Sequence, residues 1–87
     1  MTKRKALVRI LHSMPGNSAR TQQQRIVLAL RQLGTVTTSE LVRWLDVPRP
    51  GARVCELRKL GPPIATHWRT DTTEAGKPHR FALYTLN

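Results

Sequence analysis

The sequence is poor in the residues that most site chemistry requires. Only one cysteine, Cys55, stands among 87 residues. It can form no internal disulfide and no cysteine-rich zinc finger, and it suits a reducing cytosol. Cys55, His12, His67 and His79 lack C-x-x-C or H-x-x-x-H spacing, so no metal is expected. His67 and His79 are equidistant from residue 73 and could face each other across a hairpin, but two ligands make no structural zinc site. Five acids are too few for paired-carboxylate catalysis, and only Asp71 and Glu74 lie close together in sequence. There is no glycine loop for phosphates and no readable pairing of nucleophile, base and orienter. The expectation is therefore a non-enzyme with no cofactor and no small-molecule ligand.

Long apolar runs are also missing. None approaches the ~18 residues of a membrane span. The basic opening Met1-Thr2-Lys3-Arg4-Lys5 imitates a signal peptide. Arg9 and His12 interrupt the apolar stretch after it, and no small-residue cleavage site follows. The chain reads as soluble and cytoplasmic, belonging to the bacterial cytosol or nucleoid. At 39% hydrophobic residues it is no disordered polybasic tail. Its length fits one small domain, which needs an economical fold or a partner chain.

What the sequence has in excess is positive charge. Fifteen Lys and Arg against five acids give +10. Residues 1–20 carry +5, residues 21–60 carry +4 and residues 61–87 carry +1. A polyanionic partner is implied, with nucleic acid foremost.

The chain divides at Met14-Pro15-Gly16-Asn17-Ser18, a turn-rich hinge. This suggests a basic arm or helix over residues 1–18 and a domain over residues 19–87. Before the hinge, Lys3 to Ser13 has helical spacing of Leu7, Ile10, Leu11 and Met14. Three readings of this segment are open. Lys3, Arg4 and Lys5 could form an arm on DNA, the four apolar residues could pair two subunits, or the helix could lie on a membrane surface. Dimerisation is preferred to packing on its own domain, because so small a core gains from a partner.

After the hinge, Thr21 with Gln24 forms a capping-box pattern, and Ile26, Leu30 and Leu33 make an apolar face that stops at Gly34. Thr35-Val36-Thr37 favours a strand. Thr38 caps a helix from Ser39 to Leu45, and Asp46-Val47-Pro48 ends it. A third helix runs from about Arg49, with Pro50 in its first turn, to Gly61-Pro62-Pro63. Ile64 to Thr70 and His79 to Leu86 then read as a hairpin with a long polar tip, and Trp68, Phe81, Tyr84 and Leu86 are candidates for burial.

Two helices joined by a short turn and followed by a hairpin make a winged helix-turn-helix. The fold class is α+β: a three-helix core, a two-stranded wing and an extra N-terminal element. From Thr21 to Asn87 the chain also resembles a family of small helix-turn-helix proteins of phages, prophages and plasmids. The resemblance is carried by Thr21-Gln22-Gln23-Gln24-Arg25-Ile26, by Thr37-Thr38-Ser39-Glu40-Leu41 and by the run from Pro50 to Gly61. Ile64-Ala65-Thr66 and His79-Arg80-Phe81-Ala82-Leu83-Tyr84 add to it. It implies a DNA-binding winged helix, and residues 1–20 lie outside it.

Residues 49–60 form the expected recognition helix. Arg49 and Arg53 are candidates for guanine and Lys59 for phosphate. Gly51 and Ala52 are small enough for close backbone approach. Arg53 could instead pair with Glu56 or Glu40, and Arg58 could contact DNA or lie over the core edge. In the wing, over residues 69–80, Arg69, Lys77, His79 and Arg80 could reach the backbone or minor groove. Asp71 and Glu74 would repel phosphate, so only one flank of the wing can approach. The partners expected are double-stranded DNA and a second copy in a homodimer. The function expected is sequence-specific regulation, repressor-like, on a mobile element. An excisionase-like or architectural factor, an RNA-binding winged helix and a protein-interaction module are the alternatives.

Overall fold

A computed structural model describes residues 2–86. Four helices and three strands follow in the order α1 (Lys3–Ser13), α2 (Ala19–Leu33), β1 (Thr35–Thr37), α3 (Thr38–Trp44), α4 (Pro50–Leu60), β2 (Ile64–Thr72) and β3 (Pro78–Leu86). Local chemistry sets most of these boundaries. Thr2 caps α1 by accepting from the Lys5 amide at 3.2 Å. Ser18 caps α2, accepting from the Thr21 amide at 3.1 Å, so α2 starts before the expected cap at Thr21. An extended Ser18 can offer its hydroxyl to the first turn, and Thr21 is left to bond that hydroxyl at 2.9 Å. In α3 the capping box is Thr37 with Glu40, one residue before the expected Thr38. The Glu40 amide donates to Thr37 Oγ1 at 3.1 Å and the Thr37 amide donates to Glu40 Oε1 at 2.9 Å.

Between α3 and α4 the chain turns sharply. Asp46 takes a left-handed φ of 53°, a conformation its short polar side chain tolerates. The Val47 amide then bonds back to the Leu41 carbonyl at 3.0 Å, and Val47 is buried. Pro50 opens α4, and Gly61, at φ 129°, closes it by donating to the Leu57 carbonyl at 3.2 Å.

The sheet is antiparallel in the order β1-β3-β2, so β1 adds a third strand to the expected two-stranded hairpin. Val36 pairs with Tyr84, and both are buried. The hairpin runs from Ile64↔Leu86 to Thr72↔Pro78. Its tip is fixed by two bonds, Thr73 N–H to the Lys77 carbonyl at 3.1 Å and Gly76 N–H to the Thr73 carbonyl at 2.8 Å. This register centres the hairpin beyond residue 73, so His67 pairs with Leu83 and His79 with Asp71 rather than with each other.

One core collects side chains from every helix and all three strands. Leu7 and Ile10 of α1 are 0% and 3% exposed within it. This corrects their assignment to a subunit interface. They meet α2 and α3 of their own chain, which avoids the entropy cost of association. Burial of each contributes roughly 1.5–3 kcal/mol. Leu11 is partly buried against the same core, and Met14 is half-exposed.

The hinge does not separate α1 as an independent unit either. Arg25, 2% exposed, donates Nε and Nη2 to the Met14 carbonyl at 3.2 and 2.6 Å. It also donates to the Gly16 carbonyl, to Asn17 Oδ1 at 2.6 Å and to the Leu45 carbonyl at 3.2 Å. The hinge is thereby bonded to α2 and to the end of α3.

Candidate nucleic-acid interface

Pro50, Val54 and Leu57 bury one side of α4. Helical spacing sets Ala52, Cys55 and Lys59 on the opposite side, and all three are exposed. The outer side is therefore open, narrow and cationic at its C-terminal end. Gly51 is exposed with open space about its Cα, and Arg49 is exposed at the N-cap. Arg49 makes no side-chain cap bond. With no side-chain cap and no acid in the first turn, the free amides after Pro50 leave the helix start partially positive.

The other two candidates on α4 are bonded within the chain. Arg53 donates from Nη2 to Glu56 Oε2 at 3.1 Å. Its Nε lies 2.9 Å from Oε1, an ion-pair distance but too far off the N–H axis for a hydrogen bond. Glu56 also accepts from Gln23 Nε2 at 2.9 Å, which joins α4 to α2. Arg58 donates to the Ile64 carbonyl at 2.8 Å and to Thr66 Oγ1, which fixes the base of the wing to α4. Arg58 thus lies over the core edge, bonded to neutral acceptors, and it remains exposed.

The pairing register divides the wing. Ile64, Thr66, Trp68, Thr70 and Thr72 share a face with Leu86, Tyr84, Ala82, Arg80 and Pro78. Ile64, Ala82 and Tyr84 are buried, so this is the face turned to the helices. Arg80 lies on its outer extension, with its guanidinium carbon 4.5 Å from the Trp68 ring centre. Arg69, Asp71 and His79 belong to the opposite face. Arg69 donates to its neighbour's carbonyl, that of Trp68, at 3.2 Å. Lys77 is exposed in the tip turn.

At the N-terminus, Lys3 is held by Glu40 at 3.0 Å and by Thr35 Oγ1 at 3.2 Å, which makes it part of a helix rather than a free arm. Arg4 and Arg43 each lie 4.8 Å from the Trp44 ring centre, and Lys5 is exposed. The placement of two residues was not anticipated from the sequence. Arg25 lies in the buried stripe with Gln22, Ile26, Ala29 and Leu30, a pattern visible in the sequence once charge is set aside. Trp68 is 58% exposed instead of buried, and only the true register reveals its neighbour Arg80.

Among the described residues, no group of three or more His, Cys, Asp or Glu could hold a metal ion. No helix of the described residues is long and apolar enough to cross a membrane. A family model described as a winged helix-turn-helix domain matches residues 21–87, from the first turns of α2 through the wing. No curated protein matches the sequence significantly.

Proposed function

The chain belongs to the winged helix-turn-helix domain family, a DNA-binding and non-enzymatic kind of domain, and on that premise we propose that it is a sequence-specific regulator of a phage, plasmid or other mobile element. It acts in the bacterial cytosol or nucleoid as a repressor, by covering DNA that polymerase needs. The mobile-element setting rests on the resemblance of residues 21–87 to such proteins.

The observation that carries the reading is the open outer side of α4. In the major groove, Ala52 meets a thymine methyl, Arg49 reads guanine from the helix start and Lys59 meets phosphate. Gly51 lets the backbone approach closely. Arg58 holds the wing at a fixed angle to α4, so Arg80 and Lys77 meet the duplex beside the helix. Arg4, Lys5 and Arg43 supply further phosphate contacts from α1 and α3. Arg53, engaged by Glu56, supports α4 rather than reading bases. Two copies pair on the DNA, giving a site with two-fold symmetry.

Selection of bound sequences from random duplex DNA tests this. The expected result is one enriched motif with inverted half-sites, and Arg49→Ala relaxes one position of each half by roughly 1–3 kcal/mol. Selection that enriches no motif overturns sequence-specific regulation. Tandem motifs spaced along bent DNA would indicate an architectural factor.

A further inference from the structure

Trp68 is a large apolar side chain placed where packing gives it nothing to do. Its β2 face is buried at Ile64, and its β3 neighbours Ala82 and Tyr84 are 3% and 6% exposed. Thr66 is half-buried beneath Arg58, and beyond it the strand leaves the core. Trp68 is the next residue on that face, about 7 Å further along the strand. There the indole is 58% exposed, although Ala82 opposite it is buried. Arg80 engages the ring from the neighbouring strand. A cation stacked on an aromatic ring limits the rotamers of both. The indole is therefore pre-positioned and still open to solvent.

Charge narrows what can cover it. No acid lies on this face of the hairpin. Asp71 points to the opposite face, and Glu74 sits in the turn. The charges around it are positive: Arg80 on the ring, Arg58 at the base of the face, and Arg69 bonded to the Trp68 carbonyl from the other side. A suitable partner must combine dense negative charge with flat apolar surface. A polynucleotide does so, because its phosphates alternate with deoxyribose rings and base edges.

We propose that Trp68 is a non-ionic DNA contact: its indole packs on the deoxyribose and base edges that line the minor groove beside the α4 site, while Arg80 meets the adjoining phosphate. The proposal rests on the DNA-binding reading and adds a residue to it. It gives the wing a shape-sensitive contact, since a groove must have the right width to admit an indole.

The protein has two tryptophans, so Trp44→Phe leaves Trp68 as the sole indole emitter. This variant is titrated with end-labelled duplex carrying the selected site. Anisotropy of the label reports binding, and acrylamide quenching reports access to Trp68. The expected result is a severalfold fall in quenching on binding. Trp68→Ala, made in the otherwise unaltered protein, melts as the parent does but binds about tenfold more weakly. The loss is the same at every salt concentration, because no charge is removed. Trp68→Phe recovers part of it. Protection and affinity loss together support the proposal. Bound duplex with Trp68 still quenched freely, or Trp68→Ala binding at full affinity, overturns it and leaves the DNA-binding reading intact. Failure of the unaltered protein to bind any duplex overturns both.

Discussion

Arg25 places a guanidinium in the interior without a carboxylate. It is accommodated because its donors meet the Met14, Gly16 and Leu45 carbonyls and the Asn17 side chain. The Leu45 carbonyl would otherwise lose its partner in the interior, and the carbonyls of Met14 and Gly16 and the Asn17 side chain would lose the group that ties the hinge to α2. Arg25→Ala is expected to lower the unfolding free energy by about 3 kcal/mol or more, since hydrogen bonds to a charged group each contribute roughly 1.5–3 kcal/mol. For a chain of this size that is a fall of about 12 °C or more in Tm. Arg25→Lys recovers only part, because three donors on one nitrogen cannot span acceptors on two sides of a planar fork. A melt of Arg25→Ala within about 2 °C of the parent would show that the hinge is held by other contacts. The same residue shows a limit of reading sites from composition. An arginine in a basic chain invites assignment to DNA, yet Arg25, Arg53 and Arg58 spend their donors on carbonyls, a carboxylate and a hydroxyl of their own chain. Intrachain bonding decides which arginines have donors to spare, and that depends on how the elements pack.

At the scale of the element, α1 is the informative case. Leu7 and Ile10 fall on one side of a short helix, and either another chain or the domain itself could cover them. The domain does. Leu7→Ala is expected to cost about 2–5 kcal/mol, because Leu7 is fully buried and its neighbours cannot collapse far. Thermal unfolding followed by circular dichroism checks this, and the loss should be independent of protein concentration. A Tm that climbs with concentration would instead place α1 between subunits. The elements themselves were largely legible. α1 lies at Lys3–Ser13 as its spacing predicts, and α4 starts at Pro50 and stops at Gly61 because proline and glycine leave little choice. The caps shifted by one to three residues, since Ser18 and Thr37 compete with nearby hydroxyls for the same amides. The hairpin register was not legible. It depends on Gly76 adopting φ 79° within a tip of five residues, and displacing that turn changes every cross-strand neighbour, including the pairing of Trp68 with Arg80.

For the whole molecule, charge and size together set how it meets DNA. Of its fifteen cations, Lys3 and Arg53 are neutralised by carboxylates and Arg25 is buried. The longest dimension is 37 Å, close to one turn of duplex, roughly 34–36 Å. One copy can therefore reach phosphates along about one turn, and with six contacts the slope of log K against log salt is about −5. Raising salt from 50 to 200 mM should then weaken a single copy about a thousandfold. Two copies at +10 each repel in free solution, so pairing should require DNA to neutralise them. The expected molar mass is that of one chain without DNA and of two chains on a symmetric duplex. The slope on a full site should be near twice that on a half-site. Sedimentation and anisotropy over the same salt series measure both quantities. A flat salt response would mean that the positive charge serves something other than phosphate contact. A dimer already formed without DNA would mean that an apolar contact outweighs the repulsion, with exposed Leu60 of α4 the first position to substitute.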